Sequence, residues 1–325
     1  RDAATPLALQ RSPSVIQPFE DLPDVPDFQR DIQPILDRHC VTCHNPQKRA
    51  GTLNLAAARA PRFSNAYVAL LARRQVADGA NGLGNRPPRT IGSSASPLLA
   101  RLSGGHHAVK VSPREWRMVW LWIEAAAPYA GSYAALRNTE EQRYYGHAGN
   151  KIFGECRDVF KRRCAECHKN TAEQNVSGFP FNWGVRRDKE KKKLGRPTGS
   201  HERIILPDDP ARFYDAGVLV DYTRPACSSL LLAPLAKSAG GAGRCAREVF
   251  KDTADPDYKK ILASIESGKK LYDARPPWGA PGWRPNPQYV REMKRFGVLP
   301  AAFDPETDTL DPFATDQAYW RSLWP

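Results

Sequence analysis

The chain has 325 residues, enough for one large domain or two ordinary ones, and its 48 Lys and Arg against 35 Asp and Glu give a formal net charge of +13. Hydrophobic residues make up 41% of it, with 8 Trp, 12 Phe and 11 Tyr, so a sizeable core is within reach and wholesale disorder is excluded. No apolar run approaches the length of about 18 residues that a transmembrane helix needs, and 29 Pro predict long irregular connections. Arg1 rather than Met opens the chain, as expected of a processed leader or a piece of something longer.

Residues 1–27 read as an extended N-terminal segment. Ile32, Ile35 and Leu36 then fall at helical spacing and predict an amphipathic helix directly ahead of Cys40-Val41-Thr42-Cys43-His44. The same order recurs later. Cys156, Val159 and Phe160 form a stripe ahead of Cys164-Ala165-Glu166-Cys167-His168. C-x-x-C-H is the attachment pattern of c-type haem. Each thiol adds to one porphyrin vinyl group, one helical turn between the thiols matches the vinyl spacing, and the next imidazole reaches the iron. Cys40 and Cys43 are therefore expected to carry one covalent haem and Cys164 and Cys167 a second, with His44 and His168 as axial ligands. A shared four-cysteine zinc site is the competing reading, but 120 residues separate the pairs where about 15–20 are usual. A thioredoxin-like pair would need a βαβ context that the pattern does not offer.

The likeness extends beyond the motifs. Ser96-Pro97-Leu98-Leu99-Ala100-Arg101-Leu102 matches Ser229-Leu230-Leu231-Leu232-Ala233-Pro234-Leu235, and glycine pairs follow at Gly104-Gly105 and Gly240-Gly241. Two amphipathic helices come next, around Glu115–Glu124 and Asp257–Glu266. Ser112 before Pro113 and Asp255 before Pro256 are their predicted caps, one residue out of register with each other. The expected fold is mainly α: two tandem class I cytochrome c-like haem domains at 28–135 and 150–300, joined by a polar linker at 136–149. The second carries a large irregular insertion at 169–221, with short strands expected at Arg203–Leu206 and Gly217–Val220. An extended C-terminal arm spans 301–325.

The sixth iron ligand is expected from the loop before the last helix of each domain. In the first domain that loop is Gly104-Gly105-His106-His107, so bis-histidine ligation is expected, with His107 set ahead of His106. The matching loop of the second domain has no His or Met. His201 in the insertion is the first choice there, then His147, or an open iron. Met293, on an amphipathic stretch, reads as core, as does Cys156. Cys227 and Cys245 flank the leucine-rich helix, and a disulfide between them is a possibility in the compartment where c-haem is attached. The run from Arg186 to Lys193 suits an acidic redox partner or an anionic surface; nucleic acid does not fit that compartment.

With these residues in view, the segment from Asp31 to Tyr133 resembles the planctomycete-type cytochrome c domain. The Gly-Gly-His-His loop and Ala127-Pro128-Tyr129-Ala130-Gly131-Ser132-Tyr133 resemble, more narrowly, multihaem proteins related to the hydrazine synthase alpha subunit. Asp221-Tyr222-Thr223-Arg224-Pro225 and Arg291-Glu292-Met293-Lys294-Arg295-Phe296-Gly297 resemble the second haem region of such proteins. The resemblance implies an exported, periplasmic dihaem cytochrome that transfers single electrons to or from a partner, as a subunit of a larger complex. It does not imply hydrazine synthesis. The alternative is a haem enzyme whose open second iron acts on a small molecule such as peroxide or a nitrogen oxide.

Overall fold

The computed structural model describes residues 10–13, 19–60, 63–73, 75–77, 87–137, 151–152, 154–166, 219–245 and 247–323, with residues 15, 17, 140, 141 and 144. The protein is mainly α. No sheet occurs among these residues, and strand-like pairing is limited to isolated bridges, Arg59 to Ser64 and Leu235 to Phe250. Of the expected strands, Leu219 and Val220 are described and are not in a strand; the rest lies outside the described residues.

The first core gathers around the stripe ahead of Cys40. A π-helical turn, Phe28–Ile32, is capped by the Asp27 carboxylate and runs into α1 (Gln33–His39). Phe28, Ile32, Ile35 and Leu36 are buried together with residues of α2 (Asn65–Ala72), α3 (Pro97–Ser103) and α4 (Pro113–Glu124). The predicted start of α4 is present: Ser112 and Glu115 form a reciprocal capping box with Pro113 in the first helical position. Phe28 lies 5.1 Å from Tyr67 and 5.6 Å from Trp122, centroid to centroid. The polar ends of these rings are satisfied where α4 terminates. The Tyr67 hydroxyl donates to the Ala127 carbonyl at 2.9 Å and Trp122 Nε1 to the Pro128 carbonyl at 2.8 Å.

The second core repeats the first at the helix that leads to its C-x-x-C pair. Helix α5 (Arg157–Arg163) buries Val159 and Phe160, with Cys156 at its cap, against Tyr258, Ile261 and Ile265 of α7 (Pro256–Ala274). The backbone leaves α1 and α5 in the same way. Cys40 and Val41 N–H both turn back to the Leu36 carbonyl, at 2.8 and 3.1 Å; Cys164 and Ala165 N–H both turn back to Phe160, at 3.0 Å each. The counterpart of α3 is shorter: α6 (Ser229–Leu232) is a single turn. Pro234 has no N–H to continue the ladder.

Helix α7 outlasts α4 by two turns, and that extension meets the segment around Arg59 and Ala60. Gly268 leaves room for the Tyr222 ring: a Cβ there would sit 2.8 Å from the tyrosine oxygen. Tyr222 packs on Tyr272 at 5.1 Å, and the Tyr272 hydroxyl donates to the Ala60 carbonyl. Beside it, Tyr222 N–H donates to Arg59 O at 2.8 Å, Arg59 N–H to Thr223 Oγ1 at 3.1 Å, and Asn65 Nδ2 to Val220 O at 3.2 Å.

One expectation needs correction. The C-terminal arm is not extended: Asp311 caps α9 (Pro312–Ser322), with Pro312 first in the helix. Residues on both sides of 300 pack together. Trp278 joins Tyr289 and Met293 of α8 (Pro287–Arg295) in a third core, shared with Phe313 and Tyr319 of α9 and with Ala134 from the first unit. Trp278 Nε1 also donates to the buried Asp27 carboxylate at 2.9 Å. Met293 is a core residue, as its amphipathic spacing implied.

Candidate haem centre

Cys40 caps the C-terminal end of α1, half-buried, and Cys43 is exposed one turn later, its N–H on the Cys40 carbonyl at 3.2 Å. Burial, with the Asp37 charge, pushes the Cys40 thiol up to about 11. His44 N–H bonds the same carbonyl at 2.9 Å. The His44 ring is oriented by a second bond, Nδ1 to the Ala50 carbonyl at 2.8 Å. A carbonyl only accepts, so Nδ1 donates, and in the neutral ring Nε2 keeps its lone pair. That is the arrangement in which a histidine is held ready for a metal.

Opposite stands His106. Its ring centroid lies 6.1 Å from that of His44, with the planes 19° apart. Two imidazoles ligating one metal from opposite sides, each nitrogen about 2 Å from it, place their centroids about 6 Å apart. His107 is turned away from this alignment, its ring 4.4 Å from His106 at 73°. His106, set second to His107 by the sequence, is the imidazole whose ring lies beside His44. The loop reaches this shape through left-handed backbone at Gly105, His107 and Ala108, with φ of 69°, 46° and 63°. For His107 and Ala108 that conformation costs about 1–2 kcal/mol each, a strain of the kind found at ligand clamps. Burial, followed by the charges of His107, His44 and Arg101, holds His106 below the ordinary imidazole value. A cleft of about 430 Å³ opens beside it, lined by Pro97, Ala100, Arg101, Gly104 and His106. Cys40, Cys43, His44 and His106 are the residues that would hold a haem here, and the ring spacing is compatible with one.

A charged clamp ties α1 to α4 and α5 to α7. The buried Glu115 carboxylate of α4 receives Arg38 and, at 3.1 Å, His39 Nε2, both from the last turn of α1. In the second unit Asp257 receives Arg162 at 2.6 Å and Arg163 at 2.8 Å from the last turn of α5. Each basic pair stands immediately before the first cysteine of its motif. The clamp was not foreseen, although the paired positions Arg38-His39 and Arg162-Arg163 were available from the repeat. It also explains the caps. Glu115 and Asp257 are equivalent, while Ser112 lies three residues before one and Asp255 two before the other.

Burial pushes the Glu115 carboxyl up, but hydrogen bonds from Ser112 and His39 outweigh it and bring the group from the ordinary 4.5 to about 2. A depressed carboxyl stabilises the fold above its unfolded value and loses that contribution as pH falls through the folded one. Glu115→Gln should therefore cost about 2–3 kcal/mol at neutral pH and flatten the loss of stability between pH 4.5 and about 2. Acid unfolding followed by far-UV circular dichroism checks both.

In the second unit, Cys164 ends α5 as Cys40 ends α1. Cys167, His168, His147 and His201 lie outside the described residues, as do the basic run and the insertion up to 218. The loop matching Gly104–His107 is described and closes on itself. Gly241, Ala242, Gly243 and Arg244 N–H return to the carbonyls of Ala236, Leu232, Leu235 and Ala233. Gly240 to Cys245 include no imidazole or thioether. No disulfide joins Cys227 to Cys245. The Cys227 sulfur faces the first unit instead, accepting from Gln47 Nε2 at 3.7 Å. No protein-family model matches the chain, and neither does any curated protein or solved structure.

Proposed function

We propose that the protein is a dihaem c-type cytochrome, exported to the periplasm or its equivalent, which passes single electrons to or from an acidic partner as a subunit of a larger complex. The observation that carries this reading is the His44–His106 pair, 6.1 Å apart and directly following a C-x-x-C pair at the end of α1. The haem supplies one-electron redox chemistry. The chain's own part is to anchor it through Cys40 and Cys43, to orient His44 through Ala50, and to place His106 on the opposite side. The repeated exit of the chain from α1 and α5, with its repeated clamp, supports a second site of the same kind at Cys164, Cys167 and His168. The net charge of +13 supports an acidic partner.

A second reading has one observation in its favour. The second unit's loop from Gly240 to Cys245 has neither His nor Met, which suits an open iron acting on a small molecule such as peroxide or a nitrogen oxide. The absorption spectrum of the oxidised protein separates the two. Two low-spin haems support the carrier. One low-spin and one high-spin haem, the latter shifted by cyanide, support the enzyme.

A further inference from the structure

The cleft beside His106 is lined by one permanently charged group, Arg101, and no described residue neutralises it. Pro97, Ala100, Arg101 and Gly104 share one face of the α3 segment at spacings of three and four, so the guanidinium stands on the wall that leads to His106. Gln75 holds it in place. Arg101 Nη1 donates to Gln75 Oε1 at 2.6 Å, and Gln75 Nε2 donates to the Arg73 carbonyl at 2.8 Å. That uses one of the five donors of the fork. No carboxylate among the described residues comes within ion-pair distance of it, and it lines the same cleft as His106. A fixed cation with no counter-charge beside it favours an anion. A planar fork with free donors matches a carboxylate.

We propose that Arg101 binds a propionate carboxylate of the first haem and holds that haem's potential up. This rests on the dihaem reading above. The repeat adds that the second half of the chain has no arginine at the aligned position. In the alignment of Leu98-Leu99-Ala100-Arg101-Leu102 with Leu231-Leu232-Ala233-Pro234-Leu235, Arg101 falls on Pro234, the residue that also cuts α6 short. Arg101 thus makes the two haems unequal, since a cation beside one iron disfavours its oxidised, more positive state.

The test is a spectroelectrochemical titration of the haem-loaded protein as wild type, Arg101→Gln and Arg101→Lys. The first haem's midpoint is identified as the one that His106→Ala displaces. Arg101→Gln should lower that midpoint, leave the other unchanged and keep the low-spin spectrum. Arg101→Lys, which keeps a charge but not the fork, should lower it less. An unmoved first midpoint in Arg101→Gln, or equal shifts of both, overturns the proposal. Wild-type protein with no covalent haem would overturn the dihaem reading itself, a separate result visible before any variant is made.

Discussion

Replacing His106 by Ala is expected to convert the first haem from low to high spin and to raise its midpoint potential, while His107→Ala leaves the spin state as it was. The difference follows from the loop. His106 faces His44 across 6.1 Å, and His107 is turned to 73° from it by a left-handed backbone. Loss of an imidazole removes a strong donor to the ferric iron, which favours the reduced state and so raises the potential. Visible spectra and a redox titration of the two single variants suffice. A high-spin His107→Ala protein beside a low-spin His106→Ala protein would reverse the assignment.

The second large effect is structural. Gly241→Ala should cost about 3 kcal/mol or more, because the added methyl would meet backbone with no room to yield. Its Cβ would lie 2.1 Å from the Leu235 carbonyl oxygen and 2.4 Å from its carbon. The loop would have to give up the bonds that return it to Ala236, Leu232, Leu235 and Ala233. The neighbouring Gly240→Ala provides the contrast. Gly240 has a φ of +82° but open space around it, so its cost is that of a left-handed residue, about 1–2 kcal/mol. Urea unfolding of both variants measures the difference. Equal midpoints would show that the loop does not close as described.

The parts of the fold that were legible from sequence are those written in local periodicity. The stripes Ile32-Ile35-Leu36 and Cys156-Val159-Phe160 are buried as expected, and Ser112-Pro113 and Asp255-Pro256 start their helices. The same signal, Asp311-Pro312, starts the C-terminal helix within a segment whose prolines and aspartates otherwise suit an extended chain. Choosing between His106 and His107 was out of reach, because adjacent residues differ only by a backbone rotation. The clamp joins residues such as Arg38 and Glu115 that are 77 positions apart, and a charged residue at a helix end reads as solvated until its partner is known. The junction between the units escaped for a related reason. Many of its partners are backbone groups, the carbonyls of Arg59, Ala60 and Val220, and these have no side-chain signature.

The central claim is that both C-x-x-C-H motifs hold haem through thioether bonds. The most direct measurement is the mass of the denatured protein after acid–acetone extraction, which removes haem held only by ligation. The account predicts a mass raised by two haems, falling by one in Cys40→Ser/Cys43→Ser and by one in Cys164→Ser/Cys167→Ser. A wild-type mass equal to that of the bare chain, from a host able to attach c-type haem, would contradict it.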